Sequence, residues 1–255
     1  MASLGILVIH NDPVPELELR RMAPPDVSIH AARFESPTAT GAEYTGTPAA
    51  TMLAEPDVAR GVRQLGQVGV DAICLCFGSA SFFGGHAFDR EFTEEASRAA
   101  DGTPVYTAGQ AVVAAMRAAD VRRPLVVMPP WFTQPTYDAA GAYLGAAGVD
   151  VAGLLHFDLG PEWQGVRKHQ IFDRGGRWRV LPDDVRHQVR DAFPAGADGV
   201  LVPGSGIRSA EAVEPLERDL GVPVITANKS CMWYLLDTEP GGSMPCTSSA
   251  NSTPS

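Results

Sequence analysis

The stretch "ADGVLVPGSGIRSAEAVEPLERDLGVPVITAN", residues 197–228, alternates two apolar runs with a segment of mixed character. "DGVLV" and "VPVIT" have the continuous apolar character of strands that are buried on both faces. The segment between them, "SAEAVEPLERDLG", has helical spacing and ends at Gly221. A strand, a helix and a second strand in this order predict a parallel βαβ unit.

The same pattern occurs earlier in the chain. "GVDAICLCFGSAS", which begins at Gly69, parallels "GADGVLVPGSGIR", which begins at Gly196. "GTPVYTAGQAVVAAM", from Gly102, parallels "GVPVITANKSCMWYL", from Gly221. Two matching pairs in the same order predict two similar α/β halves related by a pseudo-two-fold axis. The alternative is chance matching of the turn residues that α/β proteins share.

Strand-like and helix-like segments alternate through most of the chain, starting with the buried strand "LGILVIH". This alternation predicts parallel sheets with helices on both faces. We therefore predict an α/β protein with two Rossmann-like or flavodoxin-like halves, residues 1–118 and 119–237, and a cleft between them. The last helix of the second half is expected to pack back on the first half. Residues 238–255 are poor in core-forming side chains and are expected to be disordered.

Composition excludes several classes of function. The chain has 255 residues, of which 45% are hydrophobic and 20% charged, as in a globular protein. Its net charge of −10 disfavours binding to nucleic acid or to an anionic membrane. No apolar stretch approaches 18 residues and no basic leader precedes the first strand, so we expect a cytoplasmic protein without a membrane span. The cysteines show neither a zinc-ligand spacing nor a disulfide framework, and we expect reduced thiols and no metal at Cys74, Cys76, Cys231 and Cys246.

Two stretches of small residues, "FGSAS" and "PGSGI", follow the strands of the repeat. In open α/β sheets, ligands bind beyond the carboxyl ends of the strands, so two facing halves place these stretches on opposite walls of one cleft. Small residues let backbone N–H groups approach an anion, and Ser79, Ser81 and Ser205 add hydroxyl donors. The pattern suits a small carboxylate. The alternative is a pair of ordinary strand-to-helix turns.

The sequence resembles the aspartate/glutamate racemase superfamily. Within it, the resemblance is to the branch of maleate cis-trans isomerase and arylmalonate decarboxylase. The resemblance covers roughly Leu4 to Asp237 and rests on the order of several stretches, among them "GILVIHNDPVPELELRRMAPPDVSIHAARF", "CFGSASFFGG", "TAGQAVVAAMRAADVRRPLVV" and residues 197–228. It implies two α/β halves with an active cleft between them, no cofactor, and carbon-acid chemistry beside a carboxylate. It also implies one cysteine from each half beside the substrate.

Here both of those cysteine positions hold other residues. By the resemblance, the first cysteine position is Phe77 and the second is Gly204, and the two also correspond within the repeat. Cys76 is adjacent to Phe77, but neighbouring residues in a strand point to opposite faces. A slip of one residue in the register would bring Cys76 to the cleft. Two-base racemisation or covalent isomerisation through paired thiols is therefore not expected.

Histidines are the candidates to replace a thiol as acid or base. His10 ends the first strand in "VIHND", where the family has polar residues that contact the substrate. Asn11 is expected to hold a carboxylate, and Asp12 or Glu16 to orient His10. His86, after "FFGG", is a second catalytic candidate. For both histidines the alternative is a solvent-facing side chain without a catalytic role.

The residues that match the family's oxyanion-binding turns are Gly78, Ser79, Ser205 and Gly206. Trp131 and Phe132 fall near the position of a family tyrosine that contacts the substrate, and with Phe77 they predict a more apolar cleft. Gly204 is expected to leave space for a substrate group. This interpretation predicts a carboxylic acid with an apolar or aromatic substituent, although simple packing of the aromatic residues is the alternative.

The segment from Trp163 to Trp178 is longer than its family counterpart and is interpreted as a solvated loop, with a lid or a dimer contact as the alternatives. We expect the protein to bind a small-molecule carboxylate as its substrate. We also expect it to form a homo-oligomer. The predicted function is a cofactor-independent lyase or isomerase, and decarboxylation is favoured because it needs only one proton site. Alternatives are a serine-dependent hydrolase, although no G-x-S-x-G motif is present, and a non-catalytic carboxylate-binding protein.

Overall fold

The computed structural model describes residues 2–38 and 42–236. One parallel sheet has the strand order β2-β1-β3-β4 and the other has the order β6-β5-β7-β8. The α/β prediction is confirmed. The predicted disordered tail and Cys246 lie outside the described residues. The strands are β1 (Ala2–Ile9), β2 (Val27–Phe34), β3 (Ala72–Leu75), β4 (Val105–Thr107), β5 (Pro124–Met128), β6 (Gly153–His156), β7 (Gly199–Val202) and β8 (Val224–Thr226).

Helices connect the strands and cover the sheets. Short 3-10 turns lie at Pro161–Trp163, Gly176–Trp178 and Ala210–Ala212. In the described part of the chain, no helix is both long enough and apolar enough to cross a membrane. The α-helices are α1 (Val14–Met22), α2 (Ala49–Ala54), α3 (Pro56–Val68), α4 (Gly78–Ala99), α5 (Ala108–Ala118), α6 (Gln134–Ala146), α7 (Lys168–Ile171), α8 (Pro182–Ala192), α9 (Val213–Leu220) and α10 (Ala227–Leu236).

The two sheets repeat one another. In each sheet the first strand of the half lies in the middle and pairs with the second and the third strand. Leu4 of β1 lies beside Ile29 of β2 and Ala72 of β3. Leu125 of β5 has the equivalent place between β6 and β7. The internal repeat of the sequence therefore corresponds to a repeated strand order, as predicted.

Both faces of each sheet are covered, which explains the continuous apolar character of the strands. In β1, Ile6 and Val8 belong to one core cluster and Leu7 to another on the opposite face. The first of these clusters also contains Met232 and Leu235 of α10. Helix α10, the last helix among the described residues, thus packs on the first sheet although it follows the second sheet in the chain.

Helix α4 begins within the small residues that follow β3. An ordinary strand-to-helix turn was the alternative for this stretch, but Gly78 already begins the helix. Gly85 interrupts it with φ 66° and ψ −172°, a backbone conformation that glycine adopts readily. A Cβ on Gly78 would lie 3.2 Å from the carbonyl oxygen of Pro203, so the absence of a side chain lets the two halves meet closely.

A buried carboxylate ties the two halves together. Glu18 on α1 is 2% exposed. Its carboxylate accepts hydrogen bonds from the backbone N–H groups of Ser209 (2.6 Å) and Ala210 (2.8 Å) and from the side-chain amide of Asn228 (2.7 Å). Burial raises the pKa of Glu18, while these donors act in the opposite direction. Glu18 therefore positions the segment that follows β7.

A second buried carboxylate joins α4 to α6. Asp89 accepts hydrogen bonds from the hydroxyl groups of Ser81, Thr107 and Tyr143, each at 2.7 Å. Ser81 is therefore a structural donor and points to Asp89. Because Tyr143 belongs to the second half, this contact adds to the packing of the two halves around the cleft.

Replacing Glu18 should destabilise the protein strongly. In Glu18→Ala the three donors lose their acceptor while remaining buried, and we expect the free energy of unfolding to fall by about 3 kcal/mol in urea denaturation. Glu94→Ala is the control, since Glu94 is 70% exposed and pairs with Arg98 across the helix surface. If the free energy of unfolding falls no further in Glu18→Ala than in Glu94→Ala, then Glu18 does not stabilise the contact between the two halves.

Candidate active site

A cleft lies where the carboxyl ends of β1, β3, β5 and β7 meet. Its cavity volume is about 170 Å³. Almost all the residues predicted for the site line this cleft, namely His10, Asn11, Cys76, Phe77, Gly78, Ser79, Trp131, Phe132, Gly204, Ser205 and Gly206. The structure therefore brings the loops of both halves to one place.

Asp12 is the buried acid of the cleft. It is 5% exposed, and its Oδ1 accepts a hydrogen bond from the backbone N–H of Val14 at 3.0 Å. Burial raises the pKa of Asp12 to about 7, although the Val14 N–H acts in the opposite direction. A Cβ on Gly206 would lie 3.0 Å from Asp12 Oδ2, so the carboxyl group faces the loop of the opposite half. At neutral pH, Asp12 exists in both its protonated and its ionised form.

Arg33 shapes the loop that carries Asp12. Its guanidinium donates to the carbonyl oxygens of Ile9 (3.3 Å), His10 (3.2 Å) and Asp12 (3.1 Å), and also to Glu16 (2.6 Å). The sequence indicated only an orienting role for Asp12 and none for Arg33. Their positions in the sequence could have indicated that both residues belong to the site. Asp12 precedes a helix, and Arg33 lies near the end of a strand.

His10 lies at the mouth of the cleft, with 37% of its side chain exposed. Its Nδ1 is 3.2 Å from a carboxylate oxygen of Glu35. The expectation that Asp12 or Glu16 orients His10 is corrected here. Asp12 instead accepts from the start of α1, and Glu16 pairs with Arg20 and Arg33.

Asn11 links the loop after β1 to the segment that precedes α8. Its side-chain amide donates to Asp173 at 3.0 Å. His169, Phe172 and Asp173 also line the cleft. The interpretation of the segment from Trp163 to Trp178 as a solvated loop is therefore corrected, because part of it forms a wall of the site.

Ser205 and Gly206 form the wall contributed by β7. Ser205 is 5% exposed, and its hydroxyl oxygen has no hydrogen-bond partner within residues 2–38 and 42–236. Its carbonyl oxygen accepts a hydrogen bond from the side chain of Asn228 at 2.9 Å. Since Asn228 also binds Glu18, the backbone of this loop is held while the Ser205 hydroxyl is left available to a ligand.

Gly78 and Ser79 form the opposite wall. They are the first residues of α4, and the N–H groups at the start of a helix have no acceptor within the helix. The helix dipole also favours negative charge at this end. Backbone amides of one half and the Ser205 hydroxyl of the other thus suit a bound carboxylate.

Phe77 and Gly204 are the positions at which the resemblance places the family's cysteines, and both line the cleft. The ring of Phe77 packs against Tyr44, at 4.9 Å between ring centroids. A Cβ on Gly204 would lie only 2.5 Å from Cγ of Pro129. The expectation that Gly204 leaves space for a substrate group is therefore corrected, because the proline ring fills that space.

Cys76 lines the cleft, but its sulfur lies 3.9 Å from that of Cys74, on the opposite face of the strand from Phe77. Contact with Cys231 and burial raise the pKa of the Cys76 thiol well above its usual range. The thiol therefore stays neutral near pH 7 and is a poor base or nucleophile.

The rest of the cleft is lined by both aromatic and polar side chains. The ring centroids of Trp131 and Phe172 are 5.0 Å apart, and Phe132 contacts Phe82. The polar residues beside these rings include Glu35, Thr38, Glu43, Thr133 and Thr136.

The structure does not bring His86 to the cleft. Its ring lies against Tyr143, at 4.3 Å between ring centroids, and its Nδ1 is 3.8 Å from Asp89. His86 is absent from the described residues that line the cavity, so it has no access to a ligand there.

Comparison with known proteins identifies relatives of this chain. The profile of the family described as arylmalonate decarboxylase matches residues 52–244. An arylmalonate decarboxylase from Bordetella bronchiseptica is 27% identical over 180 residues, which are 71% of this chain and 70% of that protein.

Solved structures of related proteins share the fold. The maleate isomerase Iso from Pseudomonas putida S16 has a TM-score of 0.72 at 18% identity, over 92% of this chain and 91% of its own. A crystal structure of arylmalonate decarboxylase has a TM-score of 0.72 at 23% identity, over 94% and 93% of the two chains. With the family profile matching residues 52–244, these findings show that the chain belongs to the arylmalonate decarboxylase family.

Proposed function

We propose that this protein decarboxylates a small carboxylic acid with an apolar or aromatic substituent, and that Asp12 rather than a thiol supplies the proton. The observation that carries this proposal is geometric. The buried carboxyl group of Asp12 faces Gly206 across the cleft, and the preceding residue, Ser205, has a hydroxyl that lacks a partner among the described residues. An acid therefore lies next to donors that suit a carboxylate.

Substrate binding follows from the two polar walls. One carboxylate of the substrate accepts hydrogen bonds from the amides of Gly78 and Ser79 and from the hydroxyl of Ser205. The aromatic side chains contact the apolar substituent. A cavity of about 170 Å³ has room for a small ring, since a cavity of about 150 Å³ holds benzene.

The chemical step requires charge stabilisation and one proton. The C–C bond to the second carboxylate breaks, CO₂ leaves, and the electron pair stays on the α carbon and spreads into the bound carboxylate. The donors of both walls stabilise this enediolate, and one such donor lowers a barrier by about 3 kcal/mol. The protonated Asp12 then donates its proton to the α carbon and takes a new one from solvent.

The protonation state of Asp12 also affects binding. An ionised Asp12 would repel the carboxylates of the substrate, whereas the neutral acid does not. Because burial raises its pKa to about 7, the neutral form is available near neutral pH. The same burial thus favours both binding of the substrate and proton donation.

Removing the acid should abolish most of the activity. We expect Asp12→Asn to lower kcat/KM for an arylmalonate about 10²- to 10⁴-fold, because the amide cannot donate a proton to carbon. CO₂ release reports the rate. Asp191→Asn, on the exposed part of α8, is the control for loss of one negative charge and should retain activity.

His10→Ala separates the two candidates for the proton donor. His10 lies at the mouth of the cleft and pairs with Glu35, so its loss should cost less activity than the loss of the Asp12 carboxyl. A larger drop in kcat/KM in His10→Ala than in Asp12→Asn would assign the proton transfer to His10.

The pH dependence should show the acid directly. Because the protonated form of Asp12 is required and its pKa is about 7, kcat/KM should fall about tenfold for each pH unit above that value. A profile that is flat from pH 6 to pH 9, or one that rises with pH, is incompatible with this role.

Stability should also report the raised pKa. The folded protein holds the Asp12 proton up to about pH 7, whereas the ordinary carboxyl pKa is 3.8. The stability contributed by this proton is complete below pH 3.8 and is lost as pH rises to about 7. The free energy of unfolding of Asp12→Asn, relative to that of the wild type, should increase by on the order of 4 kcal/mol from pH 4 to pH 8. Urea denaturation at the two pH values, with Asp191→Asn as the control, measures the difference.

Two other functions would give different results. A serine hydrolase would be labelled by a serine-directed covalent inhibitor, but the Ser205 hydroxyl has no activating partner in the part of the chain that the structure describes. A non-catalytic binding protein, which the missing thiols at Phe77 and Gly204 would permit, would bind a malonate tightly without releasing CO₂.

A further inference from the structure

Three thiols meet behind the cleft. The sulfur of Cys74 lies 3.3 Å from that of Cys231 and 3.9 Å from that of Cys76, and all three sulfurs lie within 4.8 Å of one another. The exposed fractions of Cys74, Cys76 and Cys231 are 0%, 3% and 0%. We name these residues the thiol triad. The proposed decarboxylation does not use any of the three.

The spacing in the sequence does not reveal the triad. Cys74 and Cys76 are two positions apart on one extended segment, so their side chains point to the same face. Cys231 lies on α10, which packs on that face of the first sheet. Helix α10, at the end of the described residues, thus supplies the third sulfur.

The surroundings of the triad are apolar. Ile6, Val8 and Ala111 belong to the same core cluster. The nearby hydroxyl of Tyr106 donates to the carbonyl oxygen of Cys231 at 2.7 Å. Among residues 2–38 and 42–236, the group of possible ligands consists of the three sulfurs, without a histidine or a carboxylate. Such a ligand set selects a soft metal ion.

The separations between the sulfurs suit a single ion. Metal–thiolate bonds are about 2.3 Å long, which places three sulfurs around one ion about 4.0 Å apart in a plane. The separation of 3.9 Å between Cys76 and Cys74 already matches this geometry. The shorter separation of 3.3 Å between Cys74 and Cys231 requires only a small opening.

Coordination number distinguishes the candidate metals. Structural zinc sites and most iron–sulfur clusters take four protein ligands, whereas the triad offers three. We propose that Cys74, Cys76 and Cys231 form a three-coordinate site for Cu(I). The ion binds thiolate sulfurs, and the displaced thiol protons pass to solvent. Copper stays in the Cu(I) state, so no oxidant or reductant is needed.

We expect an ion to reach the site from the cleft. Cys76 lines the cleft and its sulfur lies 3.9 Å from that of Cys74. Because Cys76 is only 3% exposed, its side chain must move for the metal to enter.

Cu(I) binding can be measured in a Cys246→Ser protein, which contains only the three triad cysteines. Under anaerobic conditions, Cu(I) is supplied as its coloured bicinchoninate complex, and loss of colour reports transfer to the protein. We expect one Cu(I) per chain. X-ray absorption should show three sulfur neighbours at about 2.3 Å. Zn²⁺ at the same concentration should not displace the copper.

Single variants should weaken this binding. Cys74→Ser, Cys76→Ser and Cys231→Ser, each in the Cys246→Ser protein, should bind Cu(I) more than about 100-fold less tightly, since even the loss of an outer contact costs 10- to 100-fold. Circular dichroism checks that each variant is folded. If none of them folds, the X-ray absorption of the Cys246→Ser protein still decides.

Several results would overturn the site. These are fewer than one Cu(I) per chain, fewer than three sulfur neighbours, displacement of the copper by Zn²⁺, or unchanged affinity in a folded serine variant. Since the readout is metal binding, failure here leaves the proposed role of Asp12 intact, and loss of the decarboxylase proposal leaves the metal site intact.

Discussion

The carboxylate of Glu18 is the contact on which the geometry of the cleft depends. It comes from α1, but its hydrogen-bond donors belong to the segment after β7 and to α10. Buried N–H groups without an acceptor would cost about 1–3 kcal/mol each, so this carboxylate stabilises the contact between the two halves. Through Asn228 it also holds the backbone at Ser205, whose hydroxyl has no hydrogen-bond partner among the described residues. One wall of the site is thus built by a residue of the other half.

Burial has a second consequence at Asp12. Arg33 binds the backbone carbonyls of the loop after β1, and this arrangement keeps the Asp12 carboxyl inside the cleft instead of in solvent. The carboxyl group acquires a pKa of about 7 because its charged form loses hydration. The chain lacks thiols at Phe77 and Gly204, and a desolvated carboxyl group is a chemically reasonable substitute. The ring of Pro129 occupies the space that a side chain at Gly204 would need.

Three cysteine thiols lie near the cleft, but they are buried behind its surface. Cys76 lies beside the ligand cavity while its thiol belongs to a cluster with Cys74 and Cys231. Phe77 turns to the other face of the sheet and packs against Tyr44. Adjacent side chains in an extended segment point to opposite faces. Phe77 therefore contributes to an aromatic surface on one face, while Cys76 joins the other two thiols on the opposite face.

The sequence by itself determined the α/β class, the repeated halves and the place of the cleft. Apolar runs, glycine positions and the internal repeat are local signals, and the loops after β3 and β7 follow directly from them. The sequence also indicated the lining by Asn11, Ser79 and Ser205. Only the tertiary structure decided the burial of Asp12, the hydrogen bonds of Glu18 and Arg33, the position of His86 away from the cleft, and the contact of Cys231 with Cys74. The physical reason is that desolvation and convergence of side chains depend on residues far apart in the chain, so no local pattern contains them.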